Sequence, residues 1–130
     1  MPWHNLAFAM AGLIGATVAV MHGVIVQRRL VEPLTLAAAD SKMSATVRRL
    51  IAPLLHFSTV VWFAGGVALV CAPWLNGPAR LCVGIMVAVK YLFGALGNFW
   101  ATRGWHPGWI LMVVALMLIA FGATAPSLLT

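Results

Sequence analysis

The chain has 130 residues, of which 63% are hydrophobic and only 8% are charged, and its formal net charge is +6. This composition excludes a water-soluble domain, because a soluble chain of this length needs far more charge to cover its surface. The basic residues lie beside apolar segments and not along a soluble face, so we expect a lipid bilayer as the partner and no nucleic acid.

Four apolar segments cover residues 5–26, 50–72, 81–100 and 109–125. About twenty apolar residues are enough for a helix to cross a hydrocarbon core of roughly 30 Å. These segments leave no room for an extramembrane domain, so the sequence predicts a single domain over residues 1–130. The expected fold is all-α, an integral membrane bundle of four transmembrane helices with up-down topology.

The first segment has a small residue at every fourth position, a set that we name the small stripe: Ala7, Ala11, Gly15, Ala19 and Gly23. Small side chains let another helix approach closely, and membrane helices associate through such contacts. Two interpretations remain open. The stripe closes the four-helix bundle, or it faces another copy or a larger complex.

Basic residues distinguish the two sides of the predicted bundle. They concentrate in the loop of residues 28–49 and recur at Arg103, whereas the other side has Arg80 as its only strong base. The positive-inside rule therefore predicts periplasmic termini and a multi-pass protein of the bacterial inner membrane. Bases and indoles at the cytoplasmic boundary are expected to anchor the helices to lipid headgroups: Arg28, Arg29, Arg48, Arg49, Trp100, Arg103, Trp105 and Trp109.

Several residues are typical of helix ends. Pro33 is expected to end any continuation of the first helix, and Asp40 or Ser41 to cap the start of the second. Gly104 is expected to end the third helix, and Pro107 suits the first turn of the fourth.

Polar side chains within the apolar segments are the candidate functional residues. Lys90 lies near the middle of the third segment, and neither acidic residue of the chain lies in any of the four segments. An ionisable group at bilayer depth usually marks function, although a lysine stem can also lie along a helix and snorkel. Together with Asn98, Lys90 predicts a buried polar cluster.

His22 and His56 fall at similar depths of the first and second segments. Two imidazoles that face each other across a bundle can ligate a haem iron or another metal. His106, at the predicted cytoplasmic boundary, could join them. Single histidines in membrane helices also simply hydrogen-bond a neighbouring helix. No spaced histidine pair is present, so no catalytic or metal centre is predicted and the cofactor remains unknown, with haem as one option.

Cys71 and Cys82 flank the predicted turn between the second and third helices. Their similar depth permits a disulfide in an oxidising compartment. The alternative is two free cysteines that act as small hydrophobic residues.

The segments QRRLVEPL and RGWHPGW, with a histidine in the second helix, resemble small four-helix inner-membrane proteins of bacteria that have no assigned activity. Size and topology are also similar to the MAPEG family of trimeric, glutathione-using membrane enzymes. The acidic and arginine signature of that family is absent, since no Glu lies in the second or third segment. The similarity thus implies an architecture and not thiol chemistry.

These features predict a non-enzymatic structural or accessory subunit that packs with itself, as a homo-oligomer, or with a larger membrane complex. One alternative is a membrane protein that binds haem, quinone or a metal through His22 and His56. Another is a small transporter or proton-coupled channel centred on Lys90.

Overall fold

The computed structural model describes residues 3–124, which form helices and turns with no β-strand among them. A π-helical turn, Gln27–Val31, joins the first two α-helices, and a 3₁₀ turn, Ala72–Trp74, follows the third. The α-helices are α1 (Trp3–Val26), α2 (Glu32–Ala39), α3 (Ala45–Cys71), α4 (Gly77–Thr102) and α5 (Pro107–Ala123).

Within residues 3–124, three helical segments are long and apolar enough to cross a membrane: Trp3–Ala39, Ala45–Trp74 and Gly77–Thr102. The apolar α5 is shorter, with 17 residues, and extends about 26 Å at 1.5 Å per residue. The prediction of an all-helical bundle of apolar helices is confirmed. Ala125, the last residue of the fourth predicted segment, lies outside the described residues.

α1 is the central helix of the bundle. Its largest interfaces are with α3 and α5, and α4 packs mainly on α5. α3 and α4 are neighbours in sequence but meet over a smaller interface. The largest fully buried side chains are Tyr91, Phe8, Leu69 and Met112, which come from all four long helices.

α1 and α3 approach each other closely at Gly12 and Gly66. A Cβ atom on Gly12 would lie 2.5 Å from the Gly66 carbonyl oxygen, and one on Gly66 would lie 2.7 Å from the Gly12 carbonyl oxygen. No larger residue fits without moving a helix, so these two glycines set the distance between α1 and α3. Gly12 is not a member of the small stripe.

Two expectations about helix ends near the first loop were wrong. Pro33 does not end the helical path from α1, because the π-helical turn leads directly into α2. In this turn the Glu32 N–H donates to the Gln27 carbonyl, a wider spacing that accommodates a proline, which has no N–H to donate. The cap of α3 is neither Asp40 nor Ser41 but Ser44, whose hydroxyl accepts from the Val47 N–H at 3.3 Å.

The end of α4 also differs from the expectation for Gly104. α4 ends at Thr102, and Arg103 itself takes the left-handed conformation with φ 47°. Its N–H donates to the Phe99 carbonyl at 3.0 Å, so the arginine closes the last turn. As predicted, α5 begins at Pro107, with the His106 side chain accepting from the Gly108 N–H.

Candidate functional site

The small stripe lies inside the bundle. Ala7, Ala11, Gly15 and Ala19 are buried and Gly23 is partly buried. A Cβ atom on Gly15 would overlap the Tyr91 hydroxyl of α4, and one on Gly23 would contact Thr59 of α3. The stripe therefore contacts helices of its own chain, and a second copy has no access to it in this arrangement.

Lys90 lies in a shallow depression between α3 and α4, which we name the Lys90 groove. Apart from Ser58, the walls on both sides are apolar and consist mainly of Phe57, Val61, Ala64, Met86, Val89 and Phe93. Several of these side chains are strongly exposed, and Phe93 is 78% exposed. The groove is thus part of the outer surface of the bundle, where the smaller α3–α4 interface leaves space.

Lys90 lies near the midpoint of α4. Lys90 is residue 14 of 26 in this helix, because the helix begins at Gly77. In a helix that spans a hydrocarbon core of roughly 30 Å, a midpoint position lies about 15 Å from either edge. A lysine side chain reaches roughly 6 Å, a length set by its few covalent bonds, so snorkelling from such a position would not bring the ammonium to either interface.

Lys90 has no acidic partner among residues 3–124, where no hydrogen bond or ion pair to its ammonium is present. The two acidic residues of the chain, Glu32 and Asp40, lie in α2 and directly after it. They are therefore at one end of the bundle, the α2 end, and far from the middle of α4.

A second depression lies inside the bundle at the α2 end and is named the polar cavity. Its volume is about 250 Å³, and α1, α3, α4 and the start of α5 all contribute to its lining. Four polar side chains reach it: His22, Asn98, Thr102 and His106. The rest of the wall is apolar. The structure therefore brings together three of the polar residues discussed from the sequence and adds Thr102.

Hydrogen bonds within the wall determine which polar groups remain open. The Asn98 Nδ2 donates to the Gly94 carbonyl at 2.8 Å, and the Thr102 hydroxyl donates to the Asn98 carbonyl at 2.8 Å. The His106 Nδ1 accepts from the Gly108 N–H at 3.1 Å. A ring nitrogen that accepts carries no proton, so the neutral His106 ring holds its proton on Nε2.

His22 and His56 each make a hydrogen bond to a neighbouring helix. The His22 Nε2 lies 3.2 Å from the Ser58 Oγ, and its ring lies 4.6 Å from the Trp62 ring. The His56 Nε2 lies 3.0 Å from the Gln27 Oε1, while the Gln27 Nε2 donates to Glu32 at 3.4 Å. A haem iron bound by both Nε2 atoms would have to replace both contacts.

His56 does not line the polar cavity. Among the described residues, no group of three or more His, Cys, Asp or Glu side chains is arranged to hold a metal ion. The His56–Gln27–Glu32 chain instead connects α3 to the π-helical turn and α2, and this linkage fixes the α2 end of the bundle.

Lys90 and Asn98 lie on different sides of Trp62, whose side chain contributes to both the Lys90 groove and the polar cavity. Eight residues on a helix correspond to about 80° beyond two full turns, so the two side chains leave α4 in different directions. The predicted pair is therefore split between an outer groove and an inner cavity.

The predicted lipid anchors all belong to the α2 end. Arg28, Arg29, Arg48, Arg49, Trp100, Arg103 and Trp105 are exposed, and Trp109 is partly buried. The Trp109 indole N–H donates to the Gly104 carbonyl at 3.0 Å, and its ring meets Phe99 edge-on. Trp109 thus also ties the start of α5 to the end of α4.

Sequence reasoning missed a polar contact at the opposite end of the bundle. Arg80 is only 7% exposed, and its guanidinium donates to the Asn5 Oδ1 at 2.6 Å. The available signal was that both are strongly polar residues at the same predicted boundary, since Asn5 begins the first segment and Arg80 directly precedes the third.

Cys71 and Cys82 at this end are free and exposed.

No family model matches the chain, and neither the curated proteins nor the solved structures include a match to it. The functional argument therefore rests on the geometry of the Lys90 groove and the polar cavity.

Proposed function

We propose that the protein is an accessory subunit of a larger membrane complex and that it docks through the Lys90 groove. Its partner is a transmembrane helix of a different protein that carries an Asp or Glu near the bilayer midplane. The observation that carries the proposal is the position of Lys90 at the middle of α4, in an open apolar groove.

The energetic argument concerns the charge. A lysine that faces lipid at the bilayer centre costs about 2.5–3.5 kcal/mol on insertion scales. A carboxylate placed across the groove compensates this charge, while the apolar walls supply van der Waals contact with the rest of the partner helix. Charge complementarity therefore favours an acidic helix over a purely apolar helix or lipid.

A second copy of the chain is a poor occupant of the groove. Its only acids, Glu32 and Asp40, lie at the α2 end and not at the depth of Lys90. A symmetric dimer through this face would place two Lys90 ammonium groups near each other, which raises the electrostatic free energy. The small stripe, the other candidate contact, is occupied within the chain.

The proposed location is the inner membrane of a bacterium, with the α2 end in the cytoplasm and both termini in the periplasm. The exposed arginines and tryptophans at the α2 end support this orientation, because cytoplasmic loops carry the excess of positive charge. The partner would then meet the groove within the same bilayer.

Transport and haem ligation have less support. Transport centred on Lys90 would need a path through the bundle, whereas the Lys90 groove lies on its outer surface and the polar cavity has a different lining. Haem ligation by His22 and His56 would replace the hydrogen bonds that both Nε2 atoms make.

The test is co-purification from native membranes in mild detergent, with the wild-type protein, Lys90→Met and Lys90→Arg. We expect a stoichiometric partner to be retained by the wild type and by Lys90→Arg and to be lost from Lys90→Met. The control variant is Met117→Leu, which alters an exposed α5 side chain away from the groove. Thermal denaturation of isolated Lys90→Met should show no loss of stability, because the substitution removes a charge from bilayer depth.

The decisive result is a charge exchange. Lys90→Glu should abolish the complex, and a lysine in place of the acidic residue of the partner helix should restore it. A wild-type protein that migrates alone or as a homo-oligomer refutes the proposal. A partner that Lys90→Met retains, or one that has no acidic residue in its spans, refutes it equally.

A further inference from the structure

The polar cavity is small and has walls suited to a ring. Its volume of about 250 Å³ is slightly below the roughly 300 Å³ at which small-molecule sites begin, so it has room for a single ring and not for a larger ligand. Most of the lining is apolar, and no acidic or basic side chain apart from the two histidines contributes to it. The cavity therefore suits an uncharged organic group better than a metal ion or a phosphate.

An aromatic wall on one side favours a flat ligand. The rings of His22 and Trp62 both line the cavity, with their centroids 4.6 Å apart and their planes tilted by 50°. Aromatic rings prefer offset or edge contacts at such separations. A flat ring in the cavity gains such contacts with these two residues, whereas an aliphatic chain gains none.

Asn98 and His106, which also line the cavity, have hydrogen-bond donors to offer. The His106 Nε2 carries the proton, because Nδ1 accepts from Gly108. The Asn98 amide has one N–H beyond the one that it gives to the Gly94 carbonyl, and its Oδ1 is an acceptor. Carbonyl oxygens on a ring match the donors, and hydroxyl groups on the reduced ring match the Oδ1.

The cavity also has an exit for an apolar tail. Ile25 and Leu30 line it and are nevertheless 49% and 44% exposed, so this part of the wall reaches the outer surface of the bundle. Both residues lie near the α2 end, where α1 passes into the π-helical turn.

We infer that the polar cavity binds the head group of a quinone, with the ring between the aromatic wall and the donors of Asn98 and His106. The isoprenoid tail leaves past Ile25 and Leu30 into the bilayer. The polar cavity and the Lys90 groove share Trp62 but otherwise have different lining residues. The titration below uses the isolated protein, so its result does not depend on the partner helix of the proposed function.

The experiment is a calorimetric titration of ubiquinone-1, a short-tailed quinone, into phosphatidylcholine nanodiscs that contain the protein. The heat measured with empty nanodiscs is subtracted. We expect saturable binding with one site per chain. His106→Asn keeps a side chain that caps α5 but removes the ring donor, and Asn98→Leu removes the amide. Each should weaken binding about tenfold, the effect of one hydrogen bond of typical strength.

The matched control is His4→Asn, the same substitution at the other end of the bundle, where His4 contacts Phe121. Its affinity for ubiquinone-1 should equal that of the wild type. Thermal denaturation identifies any variant that does not fold. If one of the two cavity variants does not fold, the affinity of the other cavity variant for ubiquinone-1 tests the inference. Uptake that is no greater than in empty nanodiscs refutes the inference, and so does saturable binding that both cavity variants retain.

Discussion

Replacement of Gly15 by alanine should destabilise the bundle, because the added methyl group has no space. The Cβ atom would overlap the Tyr91 hydroxyl and ring carbon. Tyr91 is 0% exposed and lies in the core, so its ring has no free volume into which to move. Overpacking of this kind costs about 1–3 kcal/mol.

Gly97→Ala is the matched control. Gly97 lies inside α4, and its added Cβ atom would meet nothing within 4 Å. Alanine is better than glycine in a helix interior by roughly 0.5–1 kcal/mol, so this variant should be unchanged or slightly more stable. The helix-propensity gain applies to both Gly→Ala substitutions and cancels between them, so their free energies of unfolding should differ by the overpacking cost alone, about 1–3 kcal/mol.

The assay is reversible unfolding in mixed micelles with increasing sodium dodecyl sulfate, followed by the loss of helical circular dichroism. Gly15→Ala should unfold at a lower detergent fraction than the wild type, and Gly97→Ala should not. If both variants unfold together with the wild type, the contact between Gly15 and Tyr91 is not part of the folded bundle in the membrane.

Three further predictions use the same unfolding assay. Asn5→Leu should destabilise the protein by roughly 1.5–3 kcal/mol, since a buried charged donor of Arg80 loses an acceptor, whereas Asn5→Asp should retain stability. Arg103→Gly should be at least as stable as the wild type, because φ 47° is strained for an arginine and free for glycine, and a destabilised variant would contradict this. Tyr91→Phe should be neutral or stabilising, because the buried Tyr91 hydroxyl has no hydrogen-bond partner within residues 3–124; a loss above 1 kcal/mol would indicate a partner outside them.

The sequence determined the helical segments of this protein, because an apolar run long enough for a membrane has one means of satisfying its backbone polar groups. The predicted segments coincide with the cores of α1, α3, α4 and α5. Local errors occurred where a nearby residue had an equally suitable side chain. The N-cap of α3, for example, is Ser44 and not Asp40. The π-helical turn before Pro33 has no simple local signal.

Only the tertiary structure decided which polar residues share a space. Helix rotation places Lys90 toward α3 on the outside and Asn98 toward His22 and His106 on the inside, and a sequence period does not give the rotation of one helix against another. The same holds for the small stripe. Small residues indicate that a helix approaches closely, but the contact of Gly15 with Tyr91 depends on how all four helices pack.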